Sequence, residues 1–274
     1  GEVEDHYHGM CNGTLWPLFH DRVRLPQFHR RWWHAFRTVN ARFADAAVGV
    51  AGDTPLWVHD YQLALVPGLI RDRVPAARIG FFLHIPFPPA PILAQLPWRR
   101  ELLHGMLGAD ALGFQTPDDV AQFRAAAVRH GGAVIAGDAL LVGDRRVRTD
   151  AFPIGIDHAA FATTARSPAV SDEVAALRAR LDGRRILLGV DRLDYTKGIR
   201  ARLMAFETLI ERRPATAEDT VFLQVAVPSR EAAHGYAETR NEIERLVGHL
   251  NGRFGSFGRV PVQYHYGSLD RPAL

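Results

Sequence analysis

The apolar run Ile186-Leu187-Leu188-Gly189-Val190 passes directly into Asp191-Arg192-Leu193-Asp194-Tyr195-Thr196-Lys197-Gly198 and then into a helical pattern. A buried strand that releases a turn into a helix N-terminus is the repeating element of a parallel α/β sheet. Backbone N–H groups and the helix dipole favour an anion at such a turn. Two cations five residues apart, Arg192 and Lys197, can grip a pyrophosphate from both sides. Surface Arg and Lys also follow strands for solubility alone, so the residues by themselves leave both readings open.

The same alternation runs through the rest of the chain. Pro55 to Val58 and Arg78 to Leu83 are predicted strands on either side of a helical Gln62 to Arg71. Ala111-Leu112-Gly113-Phe114 is a third, and Thr116-Pro117-Asp118-Asp119 predicts a capping box with Pro at the first helical position, opening a helix through about Arg129. A small-residue linker follows Phe152-Pro153-Ile154-Gly155-Ile156-Asp157, then a helix from Ser171 to about Leu181. The second series starts at Ile186. Its first helix places Ile199, Leu203, Phe206 and Ile210 on one stripe, its next strand is Val221 to Val227, and its next long helix buries Ile243, Leu246, Val247 and Leu250. The expected fold class is α/β: two Rossmann-like units in series, residues 1–157 and 158–274, with the second incomplete.

Composition narrows the function. The 274 residues carry 33 basic and 30 acidic side chains, a net charge of +3, with no basic block or interleaved aromatics. That argues against a nucleic-acid partner and is compatible with anionic small molecules. No run of eighteen apolar residues and no signal-peptide pattern is present, so no membrane association is expected. The lone Cys11 rules out an internal disulfide framework and makes a reducing cytoplasm the simplest location. His6 and His8 are the only paired candidates for metal ligands, too little to predict a metal site.

The candidate polar groups fall just after predicted strands: Asp60, His84, Arg192 with Lys197, and Ser229-Arg230. In a parallel sheet these strand ends share one edge, where ligands bind. Each also has a bland reading. His59 or His84 taken alone is more readily a core histidine bonded to backbone, and Asp60 a cap for the segment at Gln62. Tyr7 and Trp16 read as packing aromatics, and Arg30-Arg31-Trp32-Trp33 as a helix surface with aromatic anchors or, more weakly, an interface of a homo-oligomer.

Three strings together, Asp191 to Gly198, Trp57-Val58-His59-Asp60-Tyr61 and Phe81-Phe82-Leu83-His84-Ile85-Pro86-Phe87-Pro88, resemble the trehalose-6-phosphate synthases, the retaining glycosyltransferases of family 20. The similarity runs from about Tyr7 to the end of the chain. It implies a GT-B type fold, two Rossmann-like domains facing across a cleft. It also implies transfer of glucose from a nucleotide-glucose, with UDP-glucose as first choice, to glucose 6-phosphate, without cofactor or metal. By that resemblance Arg192 and Lys197 bind the donor diphosphate and His84 the transferring glucose. Asp60 contacts the acceptor hydroxyls, and Tyr7, Trp16 and Arg230 the acceptor phosphate. Against the family pattern, an N-terminal Gly-rich segment and a C-terminal acidic segment are missing, so a partial chain with weak or no turnover is expected. Two alternatives stay open: a sister synthase using glycerol 3-phosphate, and a non-catalytic sugar-phosphate or nucleotide-sugar binding module. The residues do not read the donor base.

Overall fold

Six short segments in the first half of the chain form one sheet: Leu56–His59 (β1), Ile79–Phe82 (β2), Ala111–Phe114 (β3), Val134–Ala136 (β4), Ala139–Val142 (β5) and Arg145–Ala151 (β6). The structure, a computed structural model, describes residues 1–21, 24–51, 54–229 and 236–269. The chain divides into two compact units, Gly1–Ile154 and Gly155–Leu274. In the first, the strand order is β1-β2-β3-β6-β5-β4. The pairs from β1 through β6 are parallel, and β5 and β4 continue as an antiparallel meander.

The meander was absent from the sequence expectations. Both of its turns are Gly-Asp pairs, Gly137-Asp138 and Gly143-Asp144, with Gly φ of +63° and +58°. Glycine with positive φ at the first central position is what a two-residue hairpin of type II′ asks for. The short, partly exposed β4 carries no alternation strong enough to mark it without the turn.

Register assigns each parallel strand two faces. Val58, Phe81 and Leu112 align across β1 to β3 and are buried. Trp57, Gly80 and Ala111, then His59, Phe82 and Gly113, align on the opposite face. That second face is open around Trp57, which is 70% exposed. The predicted helix at Gln62 is broken into a 3-10 turn, Tyr61–Leu63, and a helix, Val66–Arg73. The helix Pro117–His130 starts as expected, with Thr116 Oγ1 accepting from Asp119 N at 3.2 Å. The other half of the box differs, because the buried Asp119 carboxylate accepts from Phe87 N at 2.8 Å and from the Thr116 hydroxyl at 2.7 Å. It thereby ties down the proline-rich loop that follows His84.

Before the sheet, Glu4–Leu15 winds as a π-type helix, and Trp16 N donates to Cys11 O five residues back. Gly9 and Gly13 admit the Trp32 ring of the helix Arg30–Ala51; a Cβ on Gly9 would lie 2.6 Å from that ring. Trp33 is buried and stacks on Trp98, with ring centroids 5.1 Å apart and planes 4° apart. Both tryptophans of the Arg30 to Trp33 segment thus pack against their own chain, as the anchor reading expects.

The second unit holds a three-stranded parallel sheet, order β7-β8-β9, from Arg185–Arg192 (β7), Thr220–Val227 (β8) and Val262–Tyr266 (β9). Ile199, Leu203, Phe206 and Ile210 of the helix Ile199–Arg212 pack with Phe222, Ile243, Val247 and Leu250, as the stripe predicts, and Leu246 sits at the margin. The expected linker after Asp157 is helical instead. His158–Ala165 is capped by the Asp157 carboxylate accepting from Ala160 N, and Pro168–Arg180 starts three residues earlier than expected. Neither helix has a fully buried residue, so periodicity was a weak guide to them.

Candidate active site

Strand β1 ends in His59 and delivers Asp60 into an unusual backbone state, φ +69° and ψ 167°. That region is essentially reserved for glycine, and a side chain held there costs about 1–3 kcal/mol. The surroundings hold it: Asp60 N donates to Phe82 O at 2.7 Å, Leu63 N to Asp60 O at 3.1 Å, and His84 N to Asp60 Oδ1 at 3.1 Å. The carboxylate makes no cap bond to the turn that follows. Its capping reading therefore fails, and it instead joins the two strand ends that carry Asp60 and His84.

The imidazoles of His59 and His84 meet, Nδ1 of the first 2.9 Å from Nε2 of the second. One of the two nitrogens donates and the other accepts, so a single shared proton fixes both tautomers. Neither ring is a buried core histidine. They stand beside a cavity of about 440 Å³ whose floor is made by Gly80, Ala111 and Gly113 and whose walls include Trp57, Phe82 and Phe152. The small residues keep the floor low; a Cβ on Gly113 would come within 2.6 Å of the Phe82 ring. Sequence reasoning considered His59 only as a core residue. The missed signal is that His59 is the last residue of β1 and His84 lies two residues beyond the end of its parallel neighbour β2.

Trp16 is 4% exposed, with its ring centroid 4.1 Å from His20 and 6.0 Å from Tyr61, the residue after Asp60. Tyr61 in turn donates to Asn12 Oδ1 at 3.4 Å. The N-terminal helix is thus packed against the Asp60 turn. Tyr7 is 40% exposed and rests edge-on against His8, so Tyr7 is no packed core aromatic, whereas the Trp16 ring is buried.

In the second unit, Arg192 is the last residue of β7 and Lys197 closes the 3-10 turn Tyr195–Lys197. Gly198, at φ +64°, turns the chain into the helix Ile199–Arg212 without strain. Leu193 N donates to Val227 O at 2.7 Å. Arg202 pairs with Asp191 and also donates to Lys197 O at 3.1 Å. Neighbouring arginines are engaged, Arg185 with Asp219 and Arg200 with Glu242. Among the described residues Arg192 and Lys197 enter no ion pair, and both side chains are exposed. Two uncommitted cations at a helix N-terminus form an anion-binding arrangement. Arg230 lies outside the described residues.

The structure thus brings Asp60, His59 and His84 together in one unit and Arg192 with Lys197 in the other, each at the carboxyl ends of parallel strands. This is an α/β protein of Rossmann-like build, with polar side chains gathered at the strand ends where such folds bind ligands. The profile of Glycosyltransferase family 20 matches residues 1–274, and the chain belongs to that family. The trehalose-6-phosphate synthase of Mycolicibacterium gilvum is 45% identical over 284 aligned residues, covering 100% of this chain and 56% of that protein. The enzyme of Mycolicibacterium smegmatis is 43% identical with the same coverage. A crystal structure of an alpha,alpha-trehalose-phosphate synthase (UDP-forming) from Burkholderia xenovorans, in complex with glucose-6-phosphate, superposes with a TM-score of 0.93 at 36% identity. It covers 99% of this chain and 61% of its own. An E. coli structure bound with UDP-2-fluoro glucose gives 0.94 at 34% identity, covering 99% and 61%. The fold is the GT-B type α/β fold of these proteins, and the chain spans a little over half the length of the curated relatives it matches.

Proposed function

We propose that this chain carries the larger part of a retaining glucosyltransferase site that joins glucose from a nucleotide-glucose to glucose 6-phosphate, giving trehalose 6-phosphate. The observation that carries the reading is the pair of exposed, unpaired cations, Arg192 and Lys197, on a turn fixed at a helix N-terminus. It is supported by the 45% identity to a named trehalose-6-phosphate synthase along the whole chain.

In this reading the bond between glucose C1 and the diphosphate oxygen breaks, and negative charge grows on that oxygen. Fixed cations stabilise it, since they need no reorganisation as the charge develops. The acceptor hydroxyl attacks C1 from the face the diphosphate leaves and passes its proton to the departing phosphate oxygen. No carboxylate nucleophile is needed, unlike a retaining glycosidase. Asp60 accepts hydrogen bonds from acceptor hydroxyls, His84 contacts the transferring glucose, and Tyr7, Trp16 and Arg230 hold the acceptor phosphate. The proposal takes UDP-glucose as donor and assigns no step to a cofactor or metal. It includes a cytoplasmic location and no nucleic-acid or membrane partner. Among the described residues no helix is long and apolar enough to cross a membrane.

Titration calorimetry of the chain with UDP, GDP and ADP, then glucose 6-phosphate with the tightest binder present, tests this. Saturable binding by UDP that Lys197→Ala abolishes is the expected result. Binding that survives Lys197→Ala removes the donor-site assignment.

A further inference from the structure

The turn that offers Arg192 and Lys197 is built over a buried carboxylate. Asp194 is 1% exposed, and each of its oxygens is engaged. Oδ1 accepts from Thr196 N and from the Thr196 hydroxyl, both at 2.9 Å, and Oδ2 accepts from the Tyr236 hydroxyl at 2.9 Å. The Asp194 carbonyl accepts from Lys197 N at 3.0 Å. Tyr236 opens the helix Tyr236–Phe254, 42 residues further along the chain, and is itself buried.

We propose that Asp194 and Tyr236 are positioning residues: together they hold the Arg192 to Lys197 turn in the geometry that binds a diphosphate, without touching the ligand. The inference rests on the proposed donor site and adds to it the device that keeps the site formed. A buried carboxylate receiving three hydrogen bonds from the described residues is held far more rigidly than an exposed one, because any rotation leaves a buried charge underbonded. Among the described residues the carboxylate makes no ion pair with Arg192 or Lys197, so the turn is fixed while its two cations stay uncommitted. Tyr236 stands six residues after Arg230, so one hydrogen bond links the donor turn to the helix that follows the acceptor-side arginine in sequence.

The experiment uses the whole chain with UDP as probe and four variants: Tyr236→Phe, Asp194→Asn, Thr196→Val and Thr196→Ser. Tyr236→Phe and Thr196→Val each lose one hydrogen bond to a charged acceptor and are expected to weaken UDP binding about tenfold. Asp194→Asn is expected to weaken it more. Thr196→Ser restores the hydroxyl and is expected to bind as the parent does. Amide hydrogen exchange is read on the same samples. Faster exchange confined to Thr196 and Lys197, with that of β8 unchanged, is the mark of positioning; a general rise across the unit would mean a purely structural role and overturn the inference. If the parent chain binds no UDP, the donor-site reading fails on its own. The exchange pattern still decides whether Tyr236 and Asp194 hold the turn, and unchanged exchange in Tyr236→Phe refutes it.

Discussion

The two candidate sites are prepared by opposite means. At the end of β1, Asp60 is held in a glycine-only backbone state by bonds from neighbouring strands, and the reactive-looking side chains, His59 and His84, are engaged with each other. At the end of β7 the backbone is relaxed, because glycine stands at the one left-handed position, Gly198. There the cations are uncommitted and the carboxylate that braces the turn, Asp194, is buried. Under the proposed function, orienting a sugar hydroxyl calls for a directed acceptor, worth some strain, whereas a diphosphate calls for available positive charge on a firm support.

The largest expected effect breaks the comparison on ligand binding. Arg192→Ala should reduce nucleotide binding about a hundredfold, the scale of a lost charge-assisted contact, while leaving the melting temperature nearly unchanged, because the side chain is exposed and unpaired; calorimetry and thermal melts read the two. A large fall in stability would mean that the turn depends on its cations.

Stability at the strained turn comes next. Asp60→Ala keeps the strain and loses the acceptor for His84 N, whereas Asp60→Gly loses the same acceptor and relieves the strain. Urea unfolding should place the glycine variant above the alanine variant by about 1–2 kcal/mol, though both should fail to bind glucose 6-phosphate. Equal stabilities would remove the claim of strain. Gly9→Ala, which drives a Cβ toward the Trp32 ring, should cost about 1–3 kcal/mol by overpacking, measured the same way.

The smallest effect is a pH dependence confined to the first unit. Burial lowers the pKa of His6 below its ordinary 6.5. The unfolded chain therefore takes up this proton first on acidification, so the stability His6 permits is whole above 6.5 and declines as pH falls through that value toward the lowered one. Melts at pH 7.5 and 5.5 should differ less in His6→Gln than in the parent. An identical difference would assign the acid sensitivity elsewhere.

Much of this was legible in the sequence, for local reasons. The stripe of the helix Ile199–Arg212, the cap at Thr116 and the strand Ala111–Phe114 are written in adjacent residues, and the structure follows them. So was the position of Asp60, His84, Arg192 and Lys197 after strands. What could not be read depends on register between distant segments. The contact of His59 with His84 exists because β1 and β2 pair His59 with Phe82, and the backbone state of Asp60 follows from the same pairing. The hold of Tyr236 on Asp194 spans 42 residues. The fit of the Trp32 ring over Gly9, within the N-terminal π-type turns, is likewise a contact that no helical periodicity announces.

The tryptophans have a practical consequence. All five, Trp16, Trp32, Trp33, Trp57 and Trp98, belong to the first unit, while Tyr195, Tyr236, Tyr264 and Tyr266 belong to the second. Indole emission and the near-ultraviolet dichroism of the parallel Trp33 and Trp98 rings therefore report melting of the first unit alone. Circular dichroism in the far ultraviolet reports both. Coincident transitions would mean that the units unfold as one, and separated transitions that each is its own cooperative block. Nature has in effect labelled one half of the molecule, and the other can be followed by difference without adding a probe.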